Sequence, residues 1–335
     1  MMNHLIDKYG RVHDYLRISL TDRCNLNCLY CNPISYQQNN YHRSDVLDYS
    51  EILRLIKIFT GELGFKKIRF TGGEPLVRKD ILTLFESVSE LKSIYNFEIG
   101  LTTNGTLLED KLTSLKKFGV DKLNISLDSL KAENFKFITG RNNLENVIRS
   151  INKAEELGFN PLKINVVVVK NVNDNEIIDF IDFVKNRNLN VRFIEFMPFG
   201  NNSWNEDGFI SFNEIKNIVE QKYTLQEIPS IKNTVSKDFK ILNHTGKVSF
   251  ISSISDHFCN ACNRLRINSK GMMKLCLFST GNNEINFKQL FSEENNSDDE
   301  ICDIIYQALQ QKQKQHPDVE QLITLERNNM LSIGG

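Results

Sequence analysis

Between about residues 15 and 200, short β-branched runs alternate with amphipathic stretches, and this alternation restricts the fold more than any other feature of the chain. Tyr15–Leu20, Lys67–Thr71, Phe97–Thr103, Lys122–Leu127, Leu162–Val169 and Val191–Phe196 read as strands. Helical patterns separate them. One is capped by Ser50 and carries Ile52, Leu55, Ile56, Phe59 and Leu63 at helical spacing. Another starts at Asp80, and others cover about Glu109–Phe118, Leu144–Leu157 and Asn175–Asn186. Strands of near-continuous apolar character, each followed by a helix, predict a parallel sheet covered by helices. Six such units fall short of the eight of a full barrel. The expected fold class is therefore α/β, an incomplete six-unit β/α barrel of parallel strands.

After about residue 210 the pattern changes. A helix at Asn213–Gln221 leads into shorter strands at Lys247–Ser252, Arg264–Ile267 and Met273–Leu277, the last two flanking a hairpin-like turn at Ser269-Lys270-Gly271. An acidic loop, Ser292–Glu300, precedes a final helix. The expected division is a barrel over 1–214 and a smaller α+β region over 215–335 that closes the barrel mouth.

Polar residues collect just after the strands, at Asp22–Cys31, Gly72–Pro75, Thr102–Asn104, Ser126–Asp128 and Phe196–Pro198. That is the carboxyl edge of a parallel sheet, where such folds place their sites. The net charge of −1 has no basic stripe behind it, so no nucleic-acid partner is expected, and an anionic ligand must be held by a local cluster of cations. Asp7, Lys8, Arg11 and Asp14 interrupt the N-terminus before any signal-like apolar run. No run is long enough to span a bilayer. A cytoplasmic protein without a membrane partner is expected.

Six of the seven cysteines form two groups. Grouped cysteines in a chain of this length point to metal or redox work, because disulfide scaffolds are small and cysteine-dense. Cys302 stands alone beside Ile301, Ile304, Ile305 and Leu309 and reads as a buried structural thiol. Cys24, Cys28 and Cys31 follow a strand with C-x3-C-x2-C spacing. Three thiolates hold three corners of a [4Fe–4S] cube and leave one iron open for a small chelator. Zinc is the alternative, but it prefers four ligands, and His13 and His42 stand at no zinc-motif spacing. Cys259, Cys262 and Cys276 form C-x2-C-x13-C, again without a local fourth thiol; a structural zinc site recruiting His257 is the alternative there. Arg264 and Arg266 alternate along a strand beside this set, so both guanidiniums leave one face and make an anion site.

C-x3-C-x2-C with Tyr30 before its last cysteine, followed one β/α unit later by Gly72-Gly73-Glu74-Pro75, resembles the signature of the radical S-adenosylmethionine superfamily. Nearly the whole chain resembles one of its families, the GTP 3′,8-cyclases of molybdenum-cofactor biosynthesis. The likeness is carried by Tyr15–Ser19, Arg69–Pro75, Leu101–Gly105, Asn124–Asp128, Lys163–Val166, Arg192–Pro198, the second cysteine set with its Arg-x-Arg, and the final Gly334-Gly335.

The resemblance implies a lyase with two [4Fe–4S] clusters. S-adenosylmethionine would chelate the first and yield a 5′-deoxyadenosyl radical that takes a hydrogen atom from C3′ of GTP. The product would be 3′,8-cyclo-7,8-dihydro-GTP. It implies Tyr30, Gly73, Ser126 and Met197 as S-adenosylmethionine contacts. Arg17, Arg69, Thr102, Lys163, Arg192, Arg264 and Arg266 would contact GTP, and the second cluster's open iron would grip the guanine. Arg17, Arg264, Arg266, Gly334 and Gly335 would serve catalysis, the two glycines as a tail entering a narrow channel. An external electron donor and, through the product, cyclic pyranopterin monophosphate synthase would be partners, and a homodimer is compatible.

Asn32 departs from the family, which usually has methionine there, and Tyr36–Arg43 and Ser230–His244 match it poorly. Two other readings stay open. One is a peptide-modifying radical S-adenosylmethionine enzyme with an auxiliary cluster; the other is a non-catalytic iron–sulfur or zinc protein.

Overall fold

The computed structural model describes residues 4–31, 46–199, 202, 204–229, 235–256, 258–279, 285–293, 296–324 and 330–333. Asn32, the 36–43 loop with His42, positions 230–234, His257, Gly334 and Gly335 lie outside the described residues.

A small hairpin of β1 (Leu5–Ile6) and β2 (Val12–His13) precedes the main sheet. The six strands expected from the sequence follow as β3 (Tyr15–Ser19), β4 (Lys67–Thr71), β5 (Glu98–Thr103), β6 (Val120–Ser126), β7 (Leu162–Val168) and β8 (Leu189–Glu195). They lie side by side in that order, all parallel. Helices α1 (Tyr49–Lys57), α2 (Ile81–Tyr95), α3 (Leu112–Lys117), α4 (Ala132–Thr139), α5 (Leu144–Glu156) and α6 (Ile177–Val184) fill the connections.

The cap of α1 is Asp48 rather than Ser50. The Asp48 carboxylate accepts from the Glu51 N–H at 2.8 Å, and Glu51 accepts from the Asp48 N–H at 2.7 Å. Ser50 lies inside the first turn and donates to Asp48 at 2.6 Å. A carboxylate two residues earlier reaches the exposed N–H groups that the serine, already helical, cannot.

The chain continues through α7 (Phe212–Glu220), β9 (Leu225–Ile228), β10 (Lys237–Ile241), β11 (Lys247–Ile251), β12 (Arg264–Ile267), β13 (Met272–Lys274), β14 (Ile285–Asn286), α8 (Phe287–Ser292) and α9 (Asp298–Leu309). Ser297, from the acidic loop, caps α9. The short helices α10 (Val319–Thr324) and α11 (Met330–Ile333) follow, so α9 is not the final helix. These strands form no separate sheet: β12 pairs parallel with β3 at one edge, and β11 pairs parallel with β8 at the other. The result is one open twelve-stranded sheet in the order β14-β13-β12-β3-β4-β5-β6-β7-β8-β11-β10-β9, with no closed barrel among the described residues.

The strands are not continuously apolar. In β7, Leu162, Ile164, Val166 and Val168 are buried, while Lys163, Asn165 and Val167 between them are half-buried. The apolar set faces the helices. There Phe70 meets Phe85 edge-on at 5.2 Å and Phe180 meets Phe193 at 6.3 Å. Fully burying each such side chain contributes about 1.5–3 kcal/mol. The opposite face carries the polar alternates and a cavity, which a sheet packed on both sides would not leave. No helix among the described residues is long and apolar enough to cross a membrane.

Candidate functional site

The polar face of the sheet encloses a cavity of about 300 Å³ into which both cysteine sets open. Strand register builds it. Arg264 of β12 stands beside Tyr15 of β3, and Arg266 stands beside Arg17, which in turn neighbours Arg69 of β4. Across the cavity, Asn124 of β6 neighbours Lys163, and Asn165 of β7 neighbours Arg192 of β8. Because side chains alternate faces along a strand, these residues all point inward.

The first cysteine loop is fastened to its neighbours by backbone. The Gly73 N–H donates to the Thr21 carbonyl at 2.7 Å, and the Glu74 N–H to the Arg23 carbonyl at 2.8 Å. A Cβ on Gly73 would stand 2.4 Å from the Arg23 oxygen, and one on Gly72 2.7 Å from the Thr21 oxygen. Close approach of the cysteine loop itself is therefore a sufficient reason for both glycines. Glu74 is fully buried and accepts from Leu76 N–H (3.0 Å), Thr103 Oγ1 (2.8 Å) and Asn104 N–H (2.7 Å). Burial raises its carboxyl to about 7 against these hydrogen bonds. Asn104 reaches back to Asn25 at 2.9 Å. Tyr30 donates to Asp128 at 2.5 Å, and Asp128 also accepts from the Val167 N–H at 2.8 Å, so the ring is fixed beside Cys31. Asn202 donates to the carbonyls of Tyr30 (3.2 Å) and Met197 (2.8 Å), tying this loop to the end of β8.

All six thiols are free. Burial raises the Cys28 thiol, helped by Asp128 and the other two cysteines; burial and Cys24 push Cys31 up to about 12. Among the described residues, no three His, Cys, Asp or Glu side chains come close enough to share one metal ion. A cube takes one thiolate on each of three separate irons. Three unbridged, cavity-facing thiols in each set suit the cube.

The second set lies in different surroundings. Cys262 is half-buried, and the burial it has raises it, but Lys312 together with Arg264 and Arg11 outweighs that and lowers it. Arg11 donates to the Cys259 carbonyl at 2.9 Å, and Lys312 donates to the carbonyls of Arg264 (3.0 Å) and Leu275.

Between the two sets sit the cations. Arg69 donates to the Tyr15 hydroxyl at 2.6 Å and to the Leu101 carbonyl at 3.1 Å. A Cβ on Gly100 would lie 2.7 Å from the Arg69 guanidinium, so that glycine makes room for it. Arg192 donates twice to Asn165, at 2.9 and 2.6 Å. The carboxamide oxygen of Asn124, in the orientation that satisfies both neighbours, accepts from Arg69 (3.2 Å) and Arg192 (2.7 Å). Burial and mutual repulsion hold Arg192 down to about 9 and Arg266 to about 10; burial and Arg192 hold Lys163 to about 8. Burial alone would raise Tyr15, but Arg69, Arg264, Arg17 and Lys67 bring its hydroxyl down to about 7. Cations that destabilise one another in a dry cavity call for a polyanion.

Cys24, Cys28, Cys31, Cys259, Cys262, Cys276, Arg17, Tyr30, Arg69, Gly73, Thr102, Ser126, Arg192, Met197, Arg264 and Arg266 all line the cavity. Lys163 does not line it, although its ammonium is close enough to Arg192 to be affected. Tyr15, Asn124, Asn165 and Asp128 line it too, although the sequence reading assigned none of them a contact. Asparagines at alternate positions of otherwise β-branched strands were the available signal, since asparagine is depleted in strands.

The Radical SAM superfamily matches residues 18–184, and the Molybdenum Cofactor Synthesis C family matches residues 189–318. The chain is 42% identical over 333 residues to a mitochondrial GTP 3′,8-cyclase of Arabidopsis thaliana, covering 99% of this chain and 83% of that protein. It is 45% identical over 277 residues to a GTP 3′,8-cyclase of Petrotoga mobilis, covering 82% and 84%. Against molybdenum cofactor biosynthesis protein 1 of Drosophila melanogaster it is 44% identical, covering 94% of this chain but 54% of that protein; the chain thus spans about half the length of such relatives. Among solved structures, Streptococcus suis SuiB bound to precursor peptide SuiA superposes with a TM-score of 0.63 at 16% identity, over 91% of this chain and 68% of that one. That likeness concerns the fold alone.

Proposed function

The chain belongs to the GTP 3′,8-cyclase family of the radical S-adenosylmethionine superfamily, and from that membership we propose that it converts GTP to 3′,8-cyclo-7,8-dihydro-GTP, a lyase reaction early in molybdenum-cofactor biosynthesis. The observation that carries the proposal is a single cavity that unites two thiol triads with five arginines. Cys24, Cys28 and Cys31 would hold a [4Fe–4S] cluster, and Cys259, Cys262 and Cys276 a second one. When bound, the first cluster supplies the electron that turns S-adenosylmethionine into a hydrogen-abstracting radical.

The chain's own residues bind, orient and exclude water. Tyr30, Gly73, Ser126 and Met197 surround S-adenosylmethionine, with Tyr30 fixed by Asp128. Arg17, Arg69, Thr102, Arg192, Arg264 and Arg266 hold GTP, and Lys163 adds charge from beside the cavity. Each charge-assisted hydrogen bond contributes about 1.5–3 kcal/mol, so two or three orient a triphosphate. Gly334 and Gly335 would serve catalysis as a tail to the reacting groups. Met330, four residues before Gly334, lines the cavity, which supports that reading. The strands of 1–214 act as the six-unit barrel scaffold, and 215–335 acts as the auxiliary-cluster region. A cytoplasmic location, an external electron donor, hand-over of product to a cyclic pyranopterin monophosphate synthase and a homodimeric state complete the proposal.

The test is anaerobic reconstitution followed by S-adenosylmethionine, dithionite and GTP. The expected result is 5′-deoxyadenosine together with the cyclised nucleotide, formed only when GTP is present. S-adenosylmethionine cleavage that ignores GTP points to a peptide-modifying enzyme, and stoichiometric zinc without iron overturns the reading altogether.

A further inference from the structure

Lys312 is 3% exposed and sits beside the second cysteine set without lining the cavity. Its ammonium donates to two carbonyls, that of Arg264, two residues after Cys262, and that of Leu275, the residue before Cys276. It acts electrostatically on both of those thiols. Among the described residues it makes no ion pair with a carboxylate. Nearby Asp7 is already engaged, 2.6 Å from Arg11 and hydrogen-bonded to His13 at 3.2 Å. A buried ammonium compensated by carbonyl dipoles alone is costly. Ahead of Asp7, the largest negative charges acting on it are the sulfurs of Cys262 and Cys276 and whatever they hold.

The first set is surrounded differently. The charged groups acting on its thiols are Asp128 and Glu74, both acidic, and its polar neighbours are neutral amides. Net charge and hydrogen bonding around the sulfurs set the potential of an iron–sulfur cluster. A fixed positive charge favours the reduced, more negative form.

We propose that Lys312 is a positioning residue of the second site whose charge holds the second cluster at a higher reduction potential than the first. The inference rests on the reading that Cys259, Cys262 and Cys276 bind a [4Fe–4S] cluster. On falling potential, the second cluster takes its electron before the first does, so the cluster facing the substrate is the more easily reduced of the two.

The experiment is a redox titration of the reconstituted full chain, followed by electron paramagnetic resonance. Added S-adenosylmethionine perturbs the signal of the first cluster and so identifies it. Lys312→Gln keeps amide donors for the two carbonyls but removes the charge; Lys312→Arg keeps the charge. The expected result for Lys312→Gln is a second cluster about tenfold harder to reduce, equivalent to about 59 mV for one electron. The first cluster should be unmoved and Lys312→Arg should stay near wild type. Loss of the second cluster in Lys312→Gln but not in Lys312→Arg supports the same charge role.

An unmoved second potential, equal shifts in both clusters, or loss of the cluster in both variants overturns it, the last because it shows a purely structural lysine. Wild-type protein that retains iron for one cluster only defeats the two-cluster reading instead, and iron analysis separates that failure from the others.

Discussion

The two cysteine triads have the same number of thiols and open into the same cavity, yet their electrostatic surroundings part at Cys262: burial raises Cys259 as it raises the first set, while cations lower Cys262. Around Cys24, Cys28 and Cys31, burial and the acids Asp128 and Glu74 press the thiols toward neutrality. Around Cys262, the cations Lys312, Arg264 and Arg11 lower the thiol despite its burial. The first pocket suits a site that must admit a positively charged sulfonium. The second suits one that must tolerate a polyanion. Equal ligand counts therefore do not imply equal tasks; the second layer of residues divides the work.

The sharpest way to break this comparison is to remove one thiol from each set. Cys28→Ser should abolish S-adenosylmethionine cleavage, a loss exceeding the roughly 10–100-fold that outer-shell changes cost. Cys262→Ser should instead leave 5′-deoxyadenosine formation measurable while the cyclised nucleotide disappears; identical losses in the two variants would erase the division. Next in size, Arg17→Ala or Arg266→Ala removes a charge-assisted contact of about 1.5–3 kcal/mol. A rise of about ten- to hundredfold in KM for GTP, with no change in S-adenosylmethionine affinity, is expected from steady-state kinetics.

A smaller effect is expected from Tyr15. Its hydroxyl, ordinarily ionising near 10, is brought down to about 7 by the surrounding cations. Above that pH it becomes an anion among the guanidiniums and cancels part of their charge. KM for GTP should therefore climb as pH rises from about 7 to 8, by a few-fold, and Tyr15→Phe should flatten the profile. A wild-type KM that falls over that interval would reverse the sign and refute the assignment. The smallest change is Gly100→Ala, whose methyl displaces the flexible end of Arg69 rather than backbone. An effect within about threefold on KM is expected, about 0.6 kcal/mol by the tenfold-per-1.4 kcal/mol rule.

Much of this was legible in the residues. Six β-branched runs gave six adjacent parallel strands, because local apolar pattern and sheet order agree when each strand is followed by its own helix. Both cysteine sets and the Arg-x-Arg were visible because thiols and guanidiniums at short spacing have few other uses. What escaped depends on partners distant in sequence. The edge strand β9 and its neighbour β10 are short and partly polar, and their place is set by β10 pairing with β11 and β9 with β10 rather than by their own composition. The polar row of Asn124 and Asn165 hid inside strands read as apolar. The reason for Gly72 and Gly73 lay in the Thr21 and Arg23 carbonyls, about fifty positions earlier in the chain. Asp48 outcompeted Ser50 for the cap of α1 by a shift of two residues, below what pattern alone resolves.

The attachment of β12 to β3 has a consequence for biosynthesis. Tyr15 has Lys67 on one side early in synthesis, but it finds its neighbour on the other side only when Arg264 has emerged from the ribosome. At synthesis rates of about 5–20 residues per second, that is a delay on the order of 10–50 s. For that interval one border of the nascent sheet offers unsatisfied N–H and C=O groups to any passing strand. The opposite border, β8, waits a much shorter time, about 3–11 s, for β11. A protein that needs both ends of its sequence to finish one sheet is exposed to mispairing while it is being made, and its yield in cells should depend on chaperones more steeply than its final stability would suggest.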